Sequence, residues 1–321
     1  MNTIFNNLML RNEFAKRWPL ADWYKANLVK KKIDETISDS VIYEILMKQE
    51  PALVGRLGGT EARFISEYRK IKKFGMISEF MFQFKPNWRK RSREVNTNAG
   101  FYFNSLNEVK DFDSKYHDAL SEVDVLGAWG NAFSNIEYEY FRNIESLIPV
   151  DYTAPWIESR SVSSSKIPWA QALNGKNVLV VSPFVDSIQK QFNKISSVFP
   201  NHSIHNFNLL TLKSPMTVST ELPTNKSWFE YLIEIESKIV KTNFDVLLVS
   251  AGSYSFPLAH FAKKIGKIGI HCGGGLQLFF GIMGKRWEKS LYLNGLEVSW
   301  VRPNENEKPP GANLIEGGCY W

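Results

Sequence analysis

Arg56, Gly58, Gly59, Thr60 and Glu61 stand together in Arg56-Leu57-Gly58-Gly59-Thr60-Glu61-Ala62, directly after the apolar run that begins at Ala52. An arginine in that place can neutralise a phosphate, and a glutamate near a helix start can accept a proton or ligate a divalent ion. Glu61 equally suits the first turn of a helix, where the macrodipole favours an acid. A second loop, His271-Cys272-Gly273-Gly274-Gly275, runs into Leu276-Gln277-Leu278-Phe279-Phe280. Its glycines leave backbone amides open to a phosphate or a sugar hydroxyl, or serve only to let a helix pack closely. A third, Ser250-Ala251-Gly252-Ser253-Tyr254-Ser255-Phe256-Pro257, puts a tight turn at Gly252 and a proline in the first turn of the next helix. Lys285 and Arg286 follow in Gly284-Lys285-Arg286-Trp287, as phosphate partners or as ordinary charges past a helix end.

Other constellations are thinner. His202 and His205 are three apart, with no acidic or cysteine cluster to complete a metal site. Asp186, in Ser182-Pro183-Phe184-Val185-Asp186-Ser187, suits a helix cap or a ligand contact. Lys85 to Arg93 is strongly cationic and reads as a solvated loop or a contact for phosphates or acceptor. GxSxG, GxxxxGKS/T and GxGxxG motifs are all missing from the sequence, which disfavours lipase-like hydrolases, P-loop enzymes and standard dinucleotide enzymes.

The elements that must position these loops are short apolar runs followed by helix-like segments, the alternation of an α/β sheet. Strands are predicted at Ala52 to Arg56, Val123 to Ala128, Asn177 to Ser182, Asp245 to Ser250 and Ile268 to His271, with a further one at Val298 to Arg302. Val178 to Val181 and Val246 to Val249 show no polar alternation, as expected of central strands covered on both faces. The reading is therefore a Rossmann-like, mostly parallel sheet over residues 51–321, with a crossover near 158–176, preceded by a helical extension over 1–50. Within that extension Phe14, Trp18, Trp23 and Tyr24 precede Lys30-Lys31-Lys32, a pattern fit for packing or for peripheral contact with an anionic membrane.

Composition bounds the rest. With 321 residues, a net charge of +6, 44% hydrophobic and 14% aromatic residues, the chain can build a large core and is not a disordered segment. The sequence carries neither a bilayer-length apolar run nor a signal core at its start, so a cytoplasmic location is expected. The two cysteines, Cys272 and Cys319, are expected as reduced thiols, and the mild positive charge suits anionic ligands without pointing to nucleic acid.

Gly55 to Glu61, Val178 to Phe184, Ala251 to Pro257, Ile270 to Trp287 and Glu316 to Trp321 together resemble bacterial glycosyltransferase-like proteins of surface-polysaccharide loci. Arg56-x-Gly58-x-x-Glu61 is also distantly similar to the Arg-Phe-Gly-Asp-Gly-Glu loop of the GT-D type glycosyltransferase fold. The resemblance implies a nucleotide-sugar donor and a glycan or lipid-linked glycan acceptor, while the aromatic, lysine-rich stretch from Phe14 to Lys32 fits peripheral contact at the inner face of a membrane. It implies Glu61 as catalytic base or metal ligand. Donor or phosphate contacts would come from Arg56, Gly58, Gly59, Thr60, Gly252, Ser253, Tyr254, His271, Gly273, Gly274, Gly275, Gln277, Lys285 and Arg286. Where the GT-D pattern has an Asp-x-Glu pair this chain has Gly59-Thr60-Glu61. A Mn²⁺ or Mg²⁺ ion would thus need donor phosphates and a second residue, or Lys285 and Arg286 would neutralise the diphosphate in its stead. The other reading of the same residues is a non-catalytic nucleotide- or glycan-binding subunit of a polysaccharide-assembly complex.

Overall fold

Val178, Leu179, Val180 and Val181 are all fully buried, as are Val246 to Val249, so both runs are strands covered on two faces. The computed structural model describes residues 35–72, 85–127, 147–148, 169–198, 206–218, 225–288 and 299–321. Within these, seven strands form one sheet: β1 (Ala52–Arg56), β2 (Val125–Gly127), β3 (Leu147–Ile148), β4 (Asn177–Ser182), β5 (Asn208–Lys213), β6 (Val246–Val249) and β7 (Ile268–His271). Their order is β3-β2-β1-β7-β6-β4-β5, and every pairing is parallel.

Alternate side chains of β1, β4 and β6 feed two cores. Leu53, Leu179, Val181, Leu247 and Val249 face one side, and Val54, Val178, Val180, Val246 and Leu248 the other. The first layer is built on α2 (Gly59–Lys72), α4 (Leu106–Ser121), α7 (Trp228–Val240) and α8 (Ser255–Lys264). The second holds α1 (Glu35–Lys48), α5 (Val185–Phe192) and α9 (Gly275–Phe279). Helix α3 (Pro86–Glu94) and a π turn, Val95–Ala99, connect α2 to α4, and α6 (Ile195–Val198) follows α5. Serine caps fix two helix starts: Ser105 Oγ accepts from Glu108 N and Ser227 Oγ from Glu230 N, each glutamate answering the serine's own amide. Such a reciprocal cap stabilises a helix by about 1 kcal/mol.

The fold is the expected α/β class with a parallel sheet. Strand β6 is one residue shorter at each end than expected: Asp245 still donates its amide to the Asn177 carbonyl at 2.8 Å, but the Asn177 amide turns to the Asp245 carboxylate at 2.8 Å, and Ser250 keeps only its amide bond to Val181 at 2.9 Å. At 299–302 there is no strand, only a single parallel bridge from Val301 to Ile282, and Pro303 offers no further amide to extend it. Lys85 to Arg93 is not a loop: Pro86 opens α3, and Trp88 buries it against Phe64 at 5.2 Å between ring centroids. Of the 1–50 extension, Glu35–Lys48 is a helix whose Ile42 and Leu46 join the second core. The aromatic and lysine residues from Phe14 to Lys32, His202 and His205, and Ser159 to Ser165 of the crossover lie outside the described residues.

Candidate functional site

Parallel strands all point their carboxyl ends the same way, so the loops that follow them converge. A cavity of about 420 Å³ opens there, lined from β1, β7, β6, β4 and β5 in turn. Strand β6 leads to β7 on one side while β4 leads to β5 on the other, so the chain reverses its direction of travel under the cavity. Crevices at such reversals are the usual ligand sites of open α/β sheets, and the volume suits a small organic ligand.

The lining changes character along the sheet. Over β1 and β7 stand Arg56, Gly58, Gly59, Thr60, Glu61 and Arg63, with His271, Gly273 and Gly274. Over β6 it is small and polar, with Ser250, Gly252 and Ser255. Over β4 and β5 it is apolar, with Pro183, Phe184, Met216 and Val218. Residues 315–321 close one side and bring in Ile315, Glu316, Tyr320 and Trp321, while Arg286 enters beside Gly274. Neighbouring strands lie about 4.8 Å apart, so the path from β1 to β5 is roughly 19 Å long.

Three glycines form a floor on which the charged side chains rest. A Cβ at Gly58 would fall 2.2 Å from Glu61 Oε2, so the carboxyl folds back over that glycine. A Cβ at Gly273 would fall 2.9 Å from Arg56 Nη2, and one at Gly274 3.2 Å from Arg286 Nη1. Gly273 also has a φ of +55°, which favours glycine independently. Gly252, with the same φ, fits the β6 loop against the π turn, where a Cβ would sit 2.5 Å from the Ala99 carbonyl oxygen.

Burial governs the site's ionisation. Glu61 is 8% exposed, and desolvation holds its carboxyl above the usual carboxylate range. A hydrogen bond with its own backbone opposes that rise, Glu316 adds to it, and Arg56 and Arg63 counter it. Burial, with the Arg56 charge beside it, lowers His271 to about 3, so this imidazole is neutral at physiological pH. Burial also pushes the Cys272 thiol up to about 12 and the Cys319 thiol up to about 11. Both cysteines are free, and neither is a reactive thiolate near neutrality.

The His271 shift sets a pH dependence of stability. Its folded pKa lies below the ordinary 6.5, so its stabilising contribution is complete above pH 6.5 and is lost as pH falls towards about 3. The expected slope well below pH 6.5 is about 1.4 kcal/mol per pH unit, or about 2 kcal/mol between pH 6.5 and 5. Glu61 works with the opposite sign, since a raised folded pKa removes stability as pH rises above the ordinary carboxylate value. Urea unfolding of His271→Gln at pH 7 and pH 5 should show a flatter dependence than the wild type; equal slopes would refute the assignment.

Several residues singled out from sequence lie beneath or beside the cavity instead of lining it. Ser253 is fully buried, accepting from Trp228 Nε1 at 2.9 Å through Oγ and from Tyr116 OH at 2.9 Å through its carbonyl. Tyr254 stacks on Trp228 with centroids 4.9 Å apart. Gln277 is buried and donates through Nε2 to the Tyr320 carbonyl at 3.0 Å, and Gly275 is the buried first residue of α9. The Lys285 amide donates to the Trp321 carbonyl at 3.2 Å, and its exposed side chain is absent from the lining. Asp186 is not an N-cap: it sits in the first turn of α5, where Glu307 accepts its amide at 2.9 Å and Asn306 Nδ2 donates to its carboxylate at 3.2 Å.

Asn98, Phe184, Met216, Val218, Glu316, Tyr320 and Trp321 line the cavity without having been assigned a site role from sequence. Phe184, Glu316, Tyr320 and Trp321 lie in segments that carried the resemblance, and Gly317-Gly318 marks a tight turn beside Glu316. Two side-chain carboxyls, Glu61 and Glu316, face the cavity. Glu61 lies over Gly58, its carboxyl raised above the usual carboxylate range by burial, and Glu316 is engaged by Arg286 at 2.5 Å. In comparisons with known proteins the chain matches no family model, no curated protein and no solved structure.

Proposed function

We propose that the chain is a glycosyltransferase that moves a sugar from a nucleotide-diphosphate donor to a glycan or lipid-linked glycan acceptor in surface-polysaccharide biosynthesis. The polarity of the cavity carries this reading. Guanidinium groups and a buried carboxyl occupy one end, and an apolar wall containing Phe184 and Trp321 occupies the other, with their ring centroids 5.9 Å apart. A ligand with a diphosphate at one end and a planar base at the other matches that sequence of surfaces.

In this mechanism Arg56 and Arg286 take up the charge that develops on the departing diphosphate, assisted by the N-terminus of α2. Glu61 accepts the proton of the acceptor hydroxyl, and burial increases its proton affinity, which makes its ionised form the stronger base. Neutral His271 supplies a hydrogen-bonding group without adding charge. The sequence resemblance to the GT-D loop supports the same roles for Arg56 and Glu61.

A lipid-linked acceptor would meet the site at the inner face of a membrane. Among the described residues no helix is long and apolar enough to cross one. The test is to incubate the purified protein with UDP-, GDP-, dTDP- and CMP-sugars and glycan acceptors, with and without Mn²⁺, and follow the acceptor by mass spectrometry. Gain of one sugar with release of nucleoside diphosphate is the expected result. Donors that bind but remain intact with every acceptor would replace this reading with that of a non-catalytic binding subunit.

A further inference from the structure

Arg286 is held in the cavity by several groups of the chain. Its Nη2 donates to Glu316 Oε2 at 2.5 Å and to Cys319 Sγ at 2.8 Å. Its guanidinium lies over the Tyr320 ring at 4.4 Å and near the Trp287 ring at 5.4 Å. These contacts fix the plane of the guanidinium, and a fixed plane is what paired recognition of an anion requires. The partner it holds is a carboxylate of the chain itself, and that carboxylate also lines the cavity.

We propose that Glu316 stands in for a ligand's phosphate on Arg286 and is displaced when a diphosphate enters, so that it selects for multiply charged anions. The inference rests on the phosphate-recognition part of the proposed function and does not require sugar transfer.

Two carboxylates of the chain show why Glu316 is the displaceable kind. Glu307 is 1% exposed and accepts from the amides of Asp186, Ser187 and Asn304 and from the Ser187 hydroxyl, so its removal would strand several donors. Glu316 has 38% of its side chain exposed, so its carboxylate can turn into water at the cost of a partly solvated ion pair, which is small. Its backbone is the fixed part. Glu316 has a φ of +47° and precedes Gly317 at +71° and Gly318 at +76°, while its amide donates to Asn98 Oδ1 at 3.3 Å. Rotation of the Glu316 side chain, which also gives up its 3.4 Å contact from the Cys319 thiol, therefore frees the place it occupies on Arg286, while Cys319 Sγ keeps its own contact with Nη2.

A single carboxylate can be outcompeted on a guanidinium by a diphosphate, which brings more charge and more acceptor oxygens. An uncharged ligand has nothing with which to compete. While Glu316 remains in place, its charge also opposes any anion in the cavity, as it already acts on the Glu61 carboxyl.

Isothermal titration with inorganic pyrophosphate, and with uridine as an uncharged control, tests the proposal on wild type and Glu316→Gln. Glu316→Gln should bind pyrophosphate about tenfold more tightly and uridine unchanged. Adding Arg286→Gln should abolish the gain. Glu316→Ala provides the same test if the glutamine variant folds poorly, with the thermal midpoint of each protein measured alongside. Unchanged or weaker pyrophosphate binding in a folded variant overturns the proposal, as does absence of pyrophosphate binding from both proteins. Tightening without sugar transfer from any donor would remove the transferase reading and leave this one. Sugar transfer without tightening would do the reverse.

Discussion

Glu61→Gln is expected to lower turnover at least a hundredfold while the protein remains folded and still binds donor. A positioned general base contributes about 10²- to 10⁴-fold to a rate, and glutamine has the same shape with no basic oxygen of comparable strength. The substitution should cost little stability, because a neutral amide is easier to bury than the carboxylate whose charged form desolvation already opposes. The carboxyl lies over Gly58, whose missing side chain leaves the room it occupies. The loss should fall on kcat with KM little changed, as for a group acting mainly in the transition state. A variant with full turnover would remove Glu61 from the chemistry and leave the cavity as a binding site.

Gly269→Ala should destabilise the fold by about 3 kcal/mol or more, because the added methyl has no flexible neighbour to displace. Gly269 lies in β7, paired to β1 on one side and β6 on the other. A Cβ there would fall 2.0 Å from the Ala259 carbonyl oxygen and 2.7 Å from its carbonyl carbon, so the backbone of α8 would have to lift from the sheet. Helix α8 begins at Ser255, directly after the turn at Gly252, and both residues line the cavity. Ligand affinity should therefore fall together with stability. Gly55→Ala offers a contrast, because its Cβ would meet the Phe256 ring at 2.3 Å, and a ring can rotate or shift where a carbonyl cannot. Chemical unfolding of the two variants side by side checks the difference, and equal losses would show that α8 is free to move.

The central strands were legible because burial on both faces leaves an unbroken apolar run, and β1, β4 and β7 begin and end as read. Strand β5 was not, since it lies at the sheet edge with Leu209 to Leu212 only partly buried, and Asn208-Leu209-Leu210-Thr211-Leu212-Lys213 shows neither clean alternation nor a bounding glycine. The strand-end glycine loops were also legible, because glycine and charge at a strand end are local features. Their division of labour was not. Ser253 and Tyr254 carry groups suited to a ligand, yet Trp228, twenty-five residues before Ser253, claims the hydroxyl and stacks on the ring. Arg286 and Glu316 meet across thirty residues, and Phe184 and Trp321 meet from opposite ends of the β4-to-tail segment. Pairings of that kind are set by the sheet and leave no trace in spacing.

The central claim is that the cavity over β1, β7, β6, β4 and β5 takes a nucleotide diphosphate with its phosphates at the Arg56 end. Thermal stabilisation across UDP-, GDP-, dTDP- and CMP-sugars, read on wild type and Arg56→Gln, tests it most directly. A ligand at 100 times its Kd adds about 2.7 kcal/mol of stability. The expected result is a selective rise with one or more of the diphosphate donors, a smaller one with CMP-sugars, and loss of the rise in Arg56→Gln. No rise with any donor, or a rise that Arg56→Gln leaves intact, would contradict the claim.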